Sequence, residues 1–223
     1  MTGFKFLSEK NRQRYFKVIT PIGNLLARIG IHPNVLSVCG LILSIIAGVM
    51  YGLGLFFLAS FVVIFAGVCD TLDGQLARQT GKSSKFGAFF DSTLDRYSDL
   101  SLLIGMAWFF SGYKMLLEFN GHSINNDSHP WTILFIILAI AGSFMVSYSR
   151  ARAEGLGLDC NIGLMQRPER IILIVLGSFL SVIPGIGSLI IKMMLFILAL
   201  STNITAIHRI CYVRNQLSTR EQA

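Results

Sequence analysis

The sequence predicts an all-α integral membrane protein with six transmembrane helices preceded by an amphipathic interfacial helix. Hydrophobic residues make up 53% of the 223 residues, charged residues make up 14%, and the mean hydropathy is +0.62. Such values are typical of membrane proteins rather than soluble domains. Residues 29–69 contain no Asp, Glu, Lys or Arg, which is long enough for two spans of about 20 residues each. We expect one membrane domain over residues 31–214, between an interfacial helix over residues 1–30 and a cytoplasmic tail over residues 215–223.

The N-terminal segment mixes basic and apolar side chains at short intervals. Charges from Lys5 to Lys17 interrupt the stretch that a signal peptide would keep apolar. Aromatic and aliphatic residues alternate with these cations, as in a helix that lies in the headgroup layer beside anionic lipid. A solvated basic tail is the alternative.

Six apolar segments follow, and each is long enough to cross a bilayer. Their approximate limits are residues 34–51, 55–78, 86–112, 131–152, 164–183 and 189–213. Tyr51-Gly52-Leu53-Gly54 predicts the turn between spans one and two, and Pro184-Gly185-Ile186-Gly187 predicts the turn between spans five and six. Residues 118–130 form the one sizeable external loop in this arrangement.

The positive charges predict the orientation in the membrane. Sixteen of the nineteen Lys and Arg residues fall on one side of these six spans, whereas Lys114 and Lys192 fall on the other side and Arg96 lies inside a span. Since Lys and Arg accumulate in short cytoplasmic loops, we expect a multi-pass protein of the cell membrane. The acidic residues at the ends of spans two and three would then open to the cytoplasm.

Four aspartates occur at the facing ends of spans two and three. They are Asp70, Asp73, Asp91 and Asp95. The first two are three residues apart and the last two are four apart, so each pair shares one face of a helix. An ionised Asp inside a membrane costs roughly 2.5–3.5 kcal/mol even on lenient insertion scales. A bound cation would compensate this cost, and an all-oxygen ligand set suits Mg²⁺ or Mn²⁺ better than zinc or copper.

Small residues and one cation follow the first pair of aspartates. Gly74 and Ala77 leave room for a ligand to approach the backbone, and Arg78 supplies a fork of donors for phosphate. This combination indicates a diphosphate held by metal.

The pattern Asp-x2-Asp-Gly-x2-Ala-Arg-x8-Gly-x3-Asp-x3-Asp starts at Asp70 and ends at Asp95. It resembles the signature of the CDP-alcohol phosphotransferase (phosphatidyltransferase) family at all eight fixed positions. The resemblance implies two Mg²⁺ or Mn²⁺ ions and transfer of a lipid phosphate group from CDP-diacylglycerol or CDP-archaeol to an alcohol, with release of CMP. It also implies a homodimer with lipid around it, and we expect no nucleic-acid partner.

The same resemblance implies roles for individual residues. The four aspartates are metal ligands, and Asp95 also takes the proton of the attacking hydroxyl as general base. Cytidine diphosphate lies along span two, and Pro33 and Asn34 at the head of span one form another wall of its site. The implied contacts of the CDP-lipid are Asp73, Gly74, Ala77, Arg78, Gly87, Pro33 and Asn34.

Arginines at the ends of spans four to six indicate the acceptor. They are Arg150, Arg167, Arg170 and Arg209. Such a cluster suits a phosphorylated alcohol, although the ordinary cytoplasmic bias of arginine also places cations there. The segments 147–154 and 167–170 resemble bacterial phosphatidylinositol phosphate synthases and archaeal archaetidylinositol phosphate synthases, which implies inositol phosphate as the acceptor.

Two alternatives stay open from the sequence. Glycerol 3-phosphate would use a similar phosphate pocket and give phosphatidylglycerol phosphate. A divalent-cation transporter would also place carboxylates in the membrane, but it would not require Gly74, Ala77, Arg78 or the fixed interval to Gly87.

Overall fold

The computed structural model describes residues 20–112 and 129–221, and within these ranges every regular element is a helix. The all-α prediction is therefore confirmed for the described residues. Helix α1 covers residues 20–29. The other helices are α2 (Pro33–Gly52), α3 (Phe56–Gln79), α4 (Lys85–Phe110), α5 (Pro130–Gly155), α6 (Arg167–Leu180) and α7 (Gly187–Glu221).

Four of these helices are long and apolar enough to cross a membrane, namely α2, α3, α5 and α7. Helix α4 has 26 residues but carries the second half of the acidic motif. Helix α6 has 14 residues and is therefore about 21 Å long, shorter than a hydrocarbon core of about 30 Å. The chain is a multi-pass membrane protein, and its six-span arrangement stays a prediction.

Proline sets the start of three helices. Pro33, Pro130 and Pro168 all occupy the first turn, where a missing backbone N–H costs nothing because no intrahelical partner exists there. This explains why α6 begins at Arg167 rather than near residue 164. The residue before it, Gln166, is still extended.

Residues 20–106 form one compact unit. Helices α2 and α3 pack along each other and are joined at the predicted turn, where Gly54 has a φ of 80°. Helix α1 contacts α3 because the Gln75 amide donates to the Thr20 hydroxyl over 2.8 Å. A β-carbon placed on Gly105 of α4 would lie 1.9 Å from the carbonyl oxygen of Gly48 on α2. The two helices therefore cross backbone to backbone.

Residues 107–112 and 129–221 form a second compact unit. Helix α7 packs against both α5 and α6. The Asn203 amide of α7 donates to the Leu138 carbonyl of α5 over 2.9 Å. A β-carbon on Gly142 of α5 would lie 2.3 Å from the Thr202 hydroxyl of α7, so a glycine is required for this close approach.

Some predicted segments fall outside the described residues. They are residues 1–19 of the predicted interfacial helix and residues 118–128 of the predicted external loop. Helix α7 continues through residues 215–221, so the described part of the predicted cytoplasmic tail is helical.

Candidate metal centre

Three of the four motif aspartates come together within one unit. Asp70 from α3 and Asp91 and Asp95 from α4 each offer one carboxylate oxygen, and these oxygens lie within 4.8 Å of one another. All three residues are half-buried. Oxygen ligands on opposite sides of one Mg²⁺ or Ca²⁺ are separated by about 4–5 Å. The donor set and its spacing therefore fit a hard divalent cation.

Asp73 is the most buried of the four motif aspartates. It is 5% exposed, and one carboxylate oxygen accepts a hydrogen bond of 2.6 Å from the Ser37 hydroxyl of α2. It does not belong to the group of three oxygens within 4.8 Å. The structure thus places Asp73 one helical turn from Asp70 but anchors it to a neighbouring helix.

The small residues and the arginine of the motif lie beside these carboxylates on α3. A β-carbon on Gly74 would be 3.4 Å from Nη1 of Arg78, so this guanidinium folds back over the glycine. Arg78 is exposed, whereas Gly74 and Ala77 are half-buried. A guanidinium that can donate hydrogen bonds to phosphate therefore lies next to residues with little or no side chain.

The head of α2 lies beside the start of α4. The Gly87 amide donates to the Ser84 hydroxyl over 2.9 Å, and a β-carbon on Gly87 would be 3.7 Å from Oδ1 of Asn34. Pro33, at the start of α2, is buried. The structure thus brings Asn34 close to Gly87.

The predicted acceptor arginines lie in the second unit. Arg209 is 2% exposed, and its guanidinium donates to the carbonyls of Val146 and Ile162. Arg150 is exposed and pairs with Glu154 over 2.8 Å. The charges of Arg150 and Arg170 both act on Arg209, so these three arginines are neighbours.

Arg170 and Arg167 occupy the first turn of α6. Arg170 is 4% exposed, and Arg167 precedes it by three residues on the same helix. Two residues three apart share one helix face. All four predicted arginines thus belong to the second unit, and the electrostatic neighbours are Arg150, Arg170 and Arg209.

The sequence analysis did not predict two side chains that bond to the candidate site residues, namely Glu154 and Ser37. Glu154 follows Arg150 by four residues, a spacing that indicates a helical ion pair and that the sequence already contains. Ser37 precedes Asp73 by 36 residues. No local pattern points to that contact.

The fold and the cluster define a class of protein: a multi-pass membrane protein with an acidic site suited to a divalent cation and, in its second unit, a group of arginines. The profile of the CDP-alcohol phosphatidyltransferase family matches residues 30–207. The chain belongs to this family, which confirms the resemblance of the acidic motif and identifies the chain as a transferase rather than a cation transporter.

Individual inositol phosphate-lipid synthases are similar to this chain in sequence and in structure. The chain is 35% identical to the archaetidylinositol phosphate synthase of Pyrococcus horikoshii over 209 residues, which cover 93% of this chain and 97% of that protein. It also matches crystal structures of the Mycobacterium tuberculosis phosphatidylinositol phosphate synthase at 29% identity. The structure with CDP-DAG bound has a TM-score of 0.76 and covers 88% of this chain and 94% of that one. The complex with manganese and citrate has a TM-score of 0.75 and covers 87% and 88%.

Proposed function

We propose that this enzyme transfers a phosphatidyl or archaetidyl group from a CDP-linked lipid to inositol phosphate and releases CMP. The observation that carries the proposal is the pairing of two features in one chain: the Asp70, Asp91 and Asp95 cluster and the three neighbouring arginines. The first suits a diphosphate with its metal, and the second suits a phosphorylated acceptor. The names of the relatives agree with this donor and acceptor.

The acidic residues serve the donor side. Two Mg²⁺ or Mn²⁺ ions would be held by Asp70, Asp73, Asp91 and Asp95, and when bound they supply charge neutralisation on the diphosphate. Asp73 would be oriented for this by its bond from Ser37.

The neighbouring residues bind the donor. Arg78 donates to the phosphates, while Gly74, Ala77 and Gly87 leave room for cytidine. Pro33 and Asn34 close another side of this site, as the place of Asn34 beside Gly87 supports.

The transfer step needs no covalent intermediate with the protein. The acceptor hydroxyl oxygen forms a bond to the lipid phosphorus, and the bond from that phosphorus to the CMP oxygen breaks. Asp95 accepts the hydroxyl proton as general base. Arg150, Arg167, Arg170 and Arg209 hold the phosphate of the acceptor through charge-assisted hydrogen bonds.

We further propose the arrangement of the protein in the membrane. Helices α4 and α6 complete six spans within a domain of residues 31–214, and residues 1–30 form an interfacial helix. The metal site faces the cytoplasm of the cell, as does the tail at residues 215–223. The functional enzyme is a homodimer.

CMP release by purified protein in lipid vesicles tests this function. The donors are CDP-diacylglycerol and CDP-archaeol, and the acceptors are inositol phosphate, inositol, glycerol 3-phosphate and serine. We expect release with inositol phosphate, loss with EDTA and recovery with Mg²⁺ or Mn²⁺. Asp95→Asn should lower the rate by about 10²–10⁴-fold, as for removal of a general base.

Asp159→Asn makes the same chemical change at an exposed carboxylate of the α5–α6 connection and should leave the rate unchanged. Release with glycerol 3-phosphate and none with inositol phosphate would contradict the proposed acceptor. Full activity in Asp95→Asn would contradict the proposed base.

A further inference from the structure

The connection between α5 and α6, residues 156–166, is held by polar side chains along α7. The Met165 amide donates to the Thr205 hydroxyl over 3.2 Å. Nε of Arg209 donates to the Ile162 carbonyl over 2.8 Å, and Nη2 of Arg220 donates to the Gly157 carbonyl over 3.2 Å. The connection therefore runs antiparallel to α7 from Thr205 to Arg220, a rise of about 22 Å along that helix.

Apolar contacts fill the space between these hydrogen bonds. Leu158 and Cys160 of the connection form a buried cluster with Ala153 at the end of α5. Side chains of α7 pack on this cluster, namely Tyr212, Val213 and Leu217. Burial raises the pKa of the Cys160 thiol, so at neutral pH this side chain is an uncharged packing group.

The contacting residues of α7 form one face of the helix. They are Thr205, Arg209, Tyr212, Val213, Leu217 and Arg220, and they follow one another at intervals of three or four residues apart from the adjacent Tyr212 and Val213. We call this set the loop-holding face. Gly163 adds a steric requirement, because its φ is +115° and a β-carbon there would lie 2.3 Å from the Thr205 methyl.

The connection joins the two helices that carry Arg150 and Arg170. Arg209 on the loop-holding face donates both to Val146, one helical turn before Arg150, and to Ile162 of the connection. The end of α5 and the connection therefore share one anchor on α7. Residues 151–169 link Arg150 to Arg170 along the chain. The middle part of this stretch is the segment bound to α7.

We propose that the loop-holding face sets the separation of Arg150 and Arg170 and thereby the affinity for the phosphorylated acceptor. Thr205 and Arg220 are positioning residues in this account, because they bind the connection and not the substrate. The proposal rests on the proposed function and deepens it. It places acceptor recognition partly under the control of the C-terminal turns of α7.

Thr205→Val tests the proposal with a nearly isosteric change. It removes the acceptor for the Met165 amide, and loss of one hydrogen bond of about 1 kcal/mol corresponds to about a fivefold rise in KM for inositol phosphate. We expect KM for CDP-diacylglycerol and kcat to change by less than about twofold, since the acceptor alone loses binding. Thr205→Ser keeps the hydroxyl and should restore most of the acceptor KM.

Arg220→Ala and Arg214→Ala form a matched pair on the same helix. Arg214 is exposed and lies outside the loop-holding face. Hydrogen exchange of the unliganded protein should become faster over residues 157–166 in Thr205→Val and Arg220→Ala but not in Arg214→Ala.

The outcomes separate this proposal from the proposed function. If the unmodified enzyme uses glycerol 3-phosphate instead, the assigned acceptor is wrong, and the same KM split is expected with glycerol 3-phosphate. An equal rise in both substrate KM values would overturn the loop-holding role. Unchanged hydrogen exchange over residues 157–166 in Thr205→Val would overturn it too, whichever acceptor the enzyme uses.

Discussion

Asp73 illustrates how single contacts adapt a charged residue to a membrane protein. Its carboxylate is 5% exposed and accepts a 2.6 Å hydrogen bond from Ser37. Hydrogen bonds to charged groups contribute about 1.5–3 kcal/mol, roughly twice the value for neutral pairs. The hydroxyl of Ser37 therefore stabilises the most buried of the four motif aspartates.

Replacing Ser37 by alanine removes this bond and leaves the buried carboxylate less well solvated. We expect Ser37→Ala to lower the free energy of unfolding by about 1.5–3 kcal/mol and to raise the Mn²⁺ concentration needed for half-maximal CMP release. Thermal unfolding in detergent and a Mn²⁺ titration measure the two effects.

Ser44→Ala is the control on the same helix, because the buried Ser44 hydroxyl bonds only to the Gly40 carbonyl of its own helix in the described structure. Equal Mn²⁺ requirements in Ser37→Ala and Ser44→Ala would argue against a role of Ser37 at the metal site.

At the scale of helices, small residues determine how closely the elements approach. Helices in lipid associate through van der Waals packing rather than a hydrophobic driving force, so glycine at the crossing point brings backbones together. Gly48 and Gly105 form such a crossing between α2 and α4, the helices that carry Ser37 and the second acidic pair. The position of Asp91 and Asp95 next to α3 therefore depends on glycines outside the motif.

A methyl group at this crossing should force the helices apart. A β-carbon at Gly105 would lie 1.9 Å from a backbone oxygen that cannot rotate away. Overpacking of this kind costs about 1–3 kcal/mol, so Gly105→Ala should lower the melting temperature and the CMP-release rate.

Gly67→Ala is the matched substitution, since a β-carbon there meets no described atom within 4 Å. Alanine is the better helix former by about 0.5–1 kcal/mol, so Gly67→Ala should melt at the same or a higher temperature. A Gly105→Ala protein as stable as Gly67→Ala would show that the crossing tolerates the added carbon.

At the scale of the whole molecule, charge distribution and helix length together indicate which helices cross the membrane and which side each connection faces. Sixteen of nineteen cations fall on one side of the predicted six spans, as expected for cytoplasmic loops. Helix α6 is the element on which this arrangement depends most, because its 14 residues are fewer than a span normally needs. Residues 181–186 extend its path before α7 begins.

Single cysteines in a background without Cys39, Cys69, Cys160 and Cys211 test this path. Ser83, Asn161 and Val182 are exposed positions in three connections. With a membrane-impermeant maleimide applied to intact cells, we expect Val182→Cys to react and Ser83→Cys and Asn161→Cys to react only after permeabilisation.

Labelling of Asn161→Cys and Val182→Cys from the same side would mean that α6 does not cross the membrane. Labelling of Ser83→Cys in intact cells would place the metal site on the outer side and contradict the cytoplasmic orientation.

Local patterns in the amino-acid sequence were sufficient to predict most helices, the acidic site and the family. Hydropathy located α2 to α6 to within three residues at each end, because burial in lipid acts on each segment independently. Helix α7, in contrast, continues eight residues past the predicted end of span six. The spacing of Asp70 and Asp73 by three residues and of Asp91 and Asp95 by four predicted a shared acidic site, and Asp70, Asp91 and Asp95 meet there. The fixed motif was also sufficient to recognise the family.

Contacts between distant segments required the folded chain. The Ser37 bond to Asp73 joins residues 36 apart, and the Arg209 bond to Ile162 joins residues 47 apart. Such pairs depend on how helices cross and on the backbone path of a connection, and neither property is contained in periodicity. For the same reason, the motif contains four aspartates that the sequence cannot tell apart, whereas the folded chain shows that Ser37 bonds to Asp73 and that oxygens of Asp70, Asp91 and Asp95 lie within 4.8 Å of one another.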